Sequence, residues 1–193
     1  MEITKEIELL KAGMYTTLNK IRRHSPCSSG WAKLLKHLDK IEADDEPLSF
    51  LTILESNGVD DAVWCCRSAP EYDKEWRLFA VWCGRQVQHL MTDERSVAAL
   101  NVADQFANGL ATKEELDAAA TAAYNAAGVA SADAYNAARA VRGVRGVRAA
   151  GVARADAYNA ARATRAVRGV RGAQKEQFVK VIATKDETIG ETK

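Results

Sequence analysis

The chain changes character just past the segment Thr-Lys-Glu-Glu at residues 112–115. All four tryptophans, all four cysteines and all three histidines lie before that point. After it alanine and arginine dominate, and Leu116 is the only leucine. Such a chain must draw most of its core from the first part, because large apolar side chains supply most of the free energy of burial. Alanine, the best helix former, predicts a helical second part.

Six segments of the first part carry apolar residues at spacings of three and four, and none alternates as a strand does. We therefore predict an all-α protein. Residues 1–112 form an acidic, compact bundle of about six helices, residues 113–183 a long alanine- and arginine-rich helical arm, and residues 184–193 a polar tail that frays. An apolar group near the end of the arm is able to dock back on the bundle: Phe178, Val179, Val181 and Ile182.

Capping residues and prolines predict several helix ends. The first helix is expected to cover residues 3–21 and the second residues 31–41, and the third is expected to run from Pro47 to a left-handed cap at Asn57-Gly58. The acids at 44–46 precede that third helix, where negative charge complements the helix dipole. A capping role is therefore favoured for them over metal binding. Further N-caps are predicted at Asp60, at Asp73, at Thr92 or Asp93, and at Thr112, which forms a capping box with Glu115.

The arm contains an imperfect repeat. The sequence ADAYNAARA occurs at residues 132–140 and again at 155–163, and each copy is followed by VRGVRG. The tyrosines are 23 residues apart but the VRGVRG blocks 26 apart, and 23 residues rotate a helix face by about 140°. The copies therefore do not share one side of a straight helix, and the glycines favour a break near Gly143–Gly151. A functional arm and a product of repeat slippage both fit this pattern.

Charge is divided unequally between the two parts. Residues 1–112 carry 13 Lys and Arg against 17 Asp and Glu, whereas residues 113–193 carry 14 against 9. The arm's arginines recur every three residues, so on a helix they wind around the axis and would contact phosphates without reading bases. These arginines are the candidate site for a protein partner or a polyanion such as a nucleic acid: Arg139, Arg142, Arg145, Arg148, Arg162, Arg165, Arg168 and Arg171. A solvated or oligomerising helix is the alternative.

No set of residues points to catalysis, a metal or a cofactor. His24 with Cys27, and Cys83 with His89, lack the spacing of a zinc site, and no phosphate-binding loop or nucleophile motif occurs. Buried thiols, core tryptophans and surface histidines are the expected alternative. The first residues lack an apolar signal segment, and no apolar run would span a membrane. We therefore expect a soluble, cytoplasmic protein that is not an enzyme and does not bind a membrane.

Three stretches resemble phage and prophage immunity proteins, a group similar to the immunity proteins of bacterial toxin systems. They are DDEPLSFLTILESNGVDDAVWCCR at 44–67, EYDKEWRLFAVWCGRQVQHLMTDERS at 71–96, and VADQFANGLATKEELDAA at 102–119. The matching positions, expected to be structural, are Trp64, Asp73, Arg77, Asp93, Arg95, Asn108 and Gly109, with the helix start Glu114-Glu115-Leu116. The resemblance implies a tryptophan-containing helical body that runs into an alanine-rich helix.

The resemblance also implies a function. It predicts a non-enzymatic phage or prophage protein that binds and neutralises a protein partner in the bacterial host cell, either a toxin or a component of a defence system. The acidic charge of residues 1–112 fits a basic surface on that partner. Two alternatives stay open from the residues alone: a nucleic-acid-associated protein that uses the arginine-rich arm, and an oligomeric helical scaffold.

Overall fold

The computed structural model describes residues 13–91, 93–126 and 170–183. Over those residues the protein is all-α apart from one short sheet, which confirms the predicted fold class. Among the described residues before 112 there are six α-helices, the number predicted: α1 (Leu18–Arg22), α2 (Ser28–His37), α3 (Phe50–Asn57), α4 (Val59–Cys65), α5 (Asp73–Arg85) and α6 (Glu94–Ala107). They are followed by α7 (Lys113–Ala126) and α8 (Val170–Ala183), and three short 3-10 turns lie at Cys66–Ser68, Pro70–Tyr72 and Gln88–Leu90.

A two-stranded antiparallel sheet interrupts the predicted first helix at residues 15–16. Strand β1 (Tyr15–Thr16) pairs with β2 (Leu48–Ser49), and only α1 remains helical within residues 13–21. The Thr16 hydroxyl lies 2.7 Å from the hydroxyl of Ser68, and both residues are buried. A long-range polar contact and strand pairing therefore override the helical periodicity here. Residues 3–12 of the predicted helix lie outside the described residues.

The chain divides into two compact units, and the first of them joins both ends of the sequence: residues 1–69 and 175–193. Its core contains Phe50 and Phe178, whose side chains are fully buried and whose rings meet edge to face at 6.5 Å. Ile182, one turn after Phe178, is also buried. The prediction that this apolar group docks back is thus confirmed for Phe178 and Ile182.

Helix α2 packs against α3 in the first unit and ends earlier than predicted. It stops at His37, and Asp39 adopts a left-handed conformation (φ 53°) that lets the Lys40 amide donate to the Leu35 carbonyl. This hydrogen bond satisfies a carbonyl that the end of the helix would leave unpaired. Ile41, predicted to lie on the apolar face of this helix, is therefore outside it and 97% exposed.

The start of α3 also differs from the prediction, while its end agrees. The helix begins at Phe50 with Ser49 as its N-cap, three residues after Pro47, because residues 48–49 pair as a strand. It ends at Asn57, and Gly58 has the predicted positive φ of 89°. Gly58 also caps α4, so Asp60 lies in the first turn of that helix rather than at its cap.

The second unit, residues 70–174, is built on α5, α6 and α7. Trp76 is fully buried, as predicted, whereas Trp82 stacks on the buried Phe79 and stays half-exposed. Trp64, in the first unit, is also only half-buried, so the prediction that all three tryptophans fill the core is wrong for two of them. Buried Gln174 belongs to this unit and donates to the sulfur of Cys83 at 3.9 Å.

The predicted capping box at the start of the arm is confirmed. The Glu115 amide donates to the Thr112 hydroxyl at 3.2 Å, and the Thr112 amide donates to the Glu115 carboxylate at 2.7 Å. Helix α7 then packs along α6 and buries Leu116 and Ala120. The repeat, the predicted break near Gly143–Gly151 and the tail at 184–193 lie outside the described residues. The predicted boundaries at 112 and 183 stay predictions.

Candidate functional site

The arginines predicted to bind a partner lie almost wholly outside the described residues. Seven of them precede α8: Arg139, Arg142, Arg145, Arg148, Arg162, Arg165 and Arg168. Arg171 is the second residue of α8. Binding through these arginines therefore stays a prediction, and the described residues must supply any site that can be argued from geometry.

Two residues of the family motif lie one turn apart on α5. The Arg77 guanidinium is 4.0 Å from the Asp73 carboxylate, and its carbon lies 5.0 Å from the ring centre of Phe106 on α6. Both side chains are about a quarter exposed. A cation over an aromatic face, held by a neighbouring carboxylate, stabilises the contact between α5 and α6. Asp73 is the first residue of α5, not its N-cap as predicted, because Tyr72 takes that position.

The motif residues Asp93, Arg95, Asn108 and Gly109 sit at the two ends of α6. Asp93 is the N-cap, and its carboxylate accepts from the Arg95 amide at 2.9 Å and from the Arg95 guanidinium at 2.9 and 2.7 Å. At the other end Asn108 is the C-cap and Gly109 has a φ of 74°. Both predicted helix ends are confirmed. These contacts are those of a stabilised helix, and none of them leaves a group aimed at a ligand.

The Arg95 guanidinium holds the pKa of Asp93 at about 2, below its ordinary range, with a further contribution from the Arg95 amide. Because the folded pKa is lowered, the stabilisation is complete above the unfolded pKa of about 3.9 and is lost as pH falls through about 2. We expect Arg95→Gln to raise the pKa of Asp93 towards the ordinary range in a carboxyl-carbon NMR titration. Arg77→Gln is the control, since Arg77 pairs with Asp73. An unchanged Asp93 titration in Arg95→Gln would contradict this assignment.

Trp64 and Arg67 form a half-buried pair at the end of α4. The guanidinium carbon of Arg67 lies 4.1 Å from the centre of the Trp64 ring, and its Nε donates to the Trp64 carbonyl at 2.8 Å. Each residue is half-buried. The stacked cation covers part of the indole surface that would otherwise face water.

The four cysteines are free thiols, and three are buried. Burial raises the pKa of Cys83 to about 12 and raises the pKa values of Cys65 and Cys66. These three sulfurs therefore stay protonated near neutral pH, whereas a nucleophile or a metal ligand must be a thiolate. Cys27 is exposed and accepts from the Gly30 amide at 3.4 Å as the N-cap of α2. Among the described residues, no group of three potential ligands is placed to hold a metal ion.

The acidic loop, residues 39–47, connects α2 to β2 and is fixed by its own polar contacts. Lys40 donates to the carboxylates of Asp44 and Glu46, and these hydrogen bonds raise the pKa of Lys40. The Asn19 amide donates to the Asp44 carbonyl at 2.9 Å, and the Asn19 side chain donates to Asp45 at 3.0 Å. The predicted capping role of these acids is wrong: they bind Lys40 and α1, and Ser49 caps α3.

The exposed surface of the acidic loop combines one large apolar side chain with negative charge. Ile41 is 97% exposed, the highest value among the large apolar residues that are exposed in the described chain. Glu42, Asp45 and Glu46 are exposed in the same loop. Hydrogen bonds on both sides of Ile41 therefore hold an isoleucine in water on a loop that also carries three exposed carboxylates.

A division of charge within the first unit was missed by the sequence reasoning. Residues 18–40 carry six Lys and Arg and one acid, Asp39, whereas residues 41–65 carry seven acids and no Lys or Arg. The lysines and arginines of residues 18–40 lie on α1, at its C-cap Arg23, on α2 and at Lys40. The acids of residues 41–65 lie on the acidic loop, α3 and α4. Counting charge over 112 residues averaged the two groups to a small net negative value. A window of about one helix length would have separated them.

Comparison of the chain with protein-family models, with curated proteins and with solved structures finds no match in any of the three. Within the described residues, no helix combines the length and the apolar character needed to cross a membrane. The resemblance to phage immunity proteins stays a prediction.

Proposed function

We propose that this chain is a non-enzymatic protein that binds and neutralises a protein partner inside a bacterial host cell, and that the acidic loop is its contact surface. The observation that carries the proposal is Ile41, which is 97% exposed on a loop that hydrogen bonds hold on both sides. A large apolar side chain gains the most when a partner removes it from water. Its exposure in the unbound protein is therefore available as binding energy.

The rigidity of the loop supports the same proposal. Asp44 accepts from Lys40 and from the Glu46 amide, and Asp45 accepts from Asn19 and Thr17. A loop that is already ordered loses little conformational entropy on binding, so more of the contact energy appears as affinity. Isoleucine is the apolar anchor, and the exposed carboxylates form a charged rim, which matches the general anatomy of protein interfaces.

The charge of the loop determines the kind of partner. Carboxylates around an apolar anchor fit a partner that has an apolar recess bordered by lysine or arginine, and opposite charge speeds encounter between the two. A toxin or defence protein that binds nucleic acid carries such a basic surface, and covering that surface would neutralise it. The resemblance to phage immunity proteins supports this class of partner.

We expect Ile41→Arg to abolish capture of the partner. The full-length protein serves as bait in nuclease-treated host lysate, and the recovered proteins are quantified by mass spectrometry. Arginine removes the apolar anchor and places positive charge against the partner's basic border, so recovery of one protein should fall more than tenfold, the scale of an interface hot spot. Leu110→Arg is the matched control, because Leu110 is 78% exposed but lies between α6 and α7 in the second unit.

The captured protein is then purified and titrated against both variants. The proposal requires that the Leu110→Arg variant keeps the affinity of the original protein and that the Ile41→Arg variant loses it. If both variants lose affinity equally, or if both keep the affinity of the original protein, the contact surface is not the acidic loop. Capture that disappears on nuclease treatment would show that the interaction needs nucleic acid.

A further inference from the structure

One side of helix α2 is cationic and carries no large apolar residue. At 100° per residue, Ser29, Ala32, Lys33 and Lys36 fall within about 100° of arc, on the side opposite buried Leu34. All four are exposed, and His37 is exposed at the edge of the same side. We call Ser29, Lys33, Lys36 and His37 the basic face.

No carboxylate of the described residues pairs with a lysine on this side of the helix. Among the described residues, neither Lys33 nor Lys36 forms an ion pair, and the same holds for Arg22 and Arg23 at the end of α1. By contrast, Lys40 pairs with two acids. Arg23 is five residues from Ser28, the first residue of α2, so the Cα atoms of these two residues are no more than about 17 Å apart.

Helix stability explains only part of this charge. Arg22, Lys36 and His37 lie in the last turns of their helices, where cations complement the dipole by about 0.3–1 kcal/mol at most exposed sites. Lys33 lies outside the last turn of α2 and gains little from the dipole. The absence of any acid on this side also has no structural cause, since an acid one turn from a lysine would add stability.

We propose that the basic face binds the phosphate backbone of a nucleic acid without reading its sequence. Two exposed lysines one turn apart, with the Ser29 hydroxyl one turn before Lys33, match phosphate oxygens, which accept hydrogen bonds from lysine and serine. A protein partner would need an apolar anchor, and this side offers only Ala32. This surface is separate from the acidic loop, and the inference does not depend on the function proposed above.

The test is the salt dependence of DNA binding by the full chain. Fluorescence anisotropy with a labelled short duplex of random sequence gives the affinity at several salt concentrations between about 50 and 200 mM, where each phosphate contact contributes a slope of about 0.9. Lys33→Gln with Lys36→Gln should therefore lower the slope by about two and weaken binding at low salt by at least tenfold. Lys74→Gln with Lys113→Gln removes equal charge from exposed sites of the second unit and is the control.

The comparison isolates the basic face because every variant keeps the arginine-rich arm. Equal salt-dependence slopes in the two double variants would overturn the proposal and assign binding to the arm or to net charge. Absence of DNA binding by the full chain at about 50 mM salt would also overturn it. Polyglutamate that competes as well as DNA would contradict a nucleic acid as the ligand.

Discussion

Replacing Phe178 by alanine is expected to lower the free energy of unfolding by about 3–5 kcal/mol, the usual cost of removing a buried phenylalanine. Phe178 is fully buried and meets Phe50 edge to face within the first unit. Because alanine leaves a cavity beside Phe50, both the burial energy and the ring contact are lost. Urea unfolding followed by circular dichroism measures the change.

The control for this prediction is Ile41→Ala, which also shortens a large apolar side chain but at a site that is 97% exposed. Its effect on the free energy of unfolding should stay within about 0.5 kcal/mol. A loss below about 1 kcal/mol for Phe178→Ala would mean that the aromatic ring is not part of a packed core. Such a result would also remove the reason to assign residues 175–183 to the first unit.

Adding a methyl group at Gly84 is expected to destabilise the second unit by about 1–3 kcal/mol, although alanine is normally the better residue in a helix. A Cβ built on Gly84 of α5 would lie 2.6 Å from Cδ1 of Leu100 on α6. Leu100 is fully buried, so its side chain has little room to move away. Thermal or urea unfolding of Gly84→Ala gives the measurement.

A double-mutant cycle shows whether the clash is the cause. Leu100→Ala alone should cost about 2–5 kcal/mol of unfolding free energy. The two substitutions together should cost less than the sum of their separate costs, because the shortened side chain at position 100 leaves room for the Cβ added at Gly84 and that Cβ fills part of the cavity. Gly172→Ala, in α8 with open space around the added Cβ, should instead stabilise by about 0.5–1 kcal/mol. Additive losses in the cycle would rule out contact between the two side chains.

Helix ends were predicted well where one short segment determines them. The capping box of Thr112 and Glu115, the N-cap at Asp93 and the Asn108-Gly109 end depend on atoms within a few residues of each other. Residue type alone also predicted caps at Asp60 and Asp73, and both lie inside their helices. The three ends that agree form their hydrogen bonds within a few residues of the helix end. Tertiary contacts have little opportunity to change them.

The first predicted helix is wrong at residues 13–17 because its apolar spacing there was ambiguous. Met14, Thr16 and Leu18 are all buried, which is the period of a strand, but Thr16 is polar and hid that alternation. It is buried because its hydroxyl meets that of Ser68. A partner more than fifty residues away cannot be read from local periodicity, and the same limit applies to β2, whose pairing delays the start of α3.

The candidate surfaces could be predicted only in part. The run of acids at residues 44–46 was visible, but its hydrogen bonds to Lys40 and Asn19 depend on how the chain turns after α2. That turn needs a left-handed Asp39, a residue less common there than glycine. No residue type in the sequence indicates a turn at Asp39. The apolar spacing therefore predicted Ile41 on a face of α2, whereas its side chain is exposed to water.

The composition of the first unit has a consequence for synthesis of the protein in the cell. Its core joins residues near the start of the sequence to Phe178 near the end, with the whole second unit in between. The ribosome synthesises α5, α6 and α7 before Phe178, so the first unit cannot complete its core during most of translation. Closing so long a loop is also slow. Until Phe178 is made, the side chain of Phe50 lacks its aromatic contact, and chaperones would have time to bind the exposed apolar surface of the nascent chain.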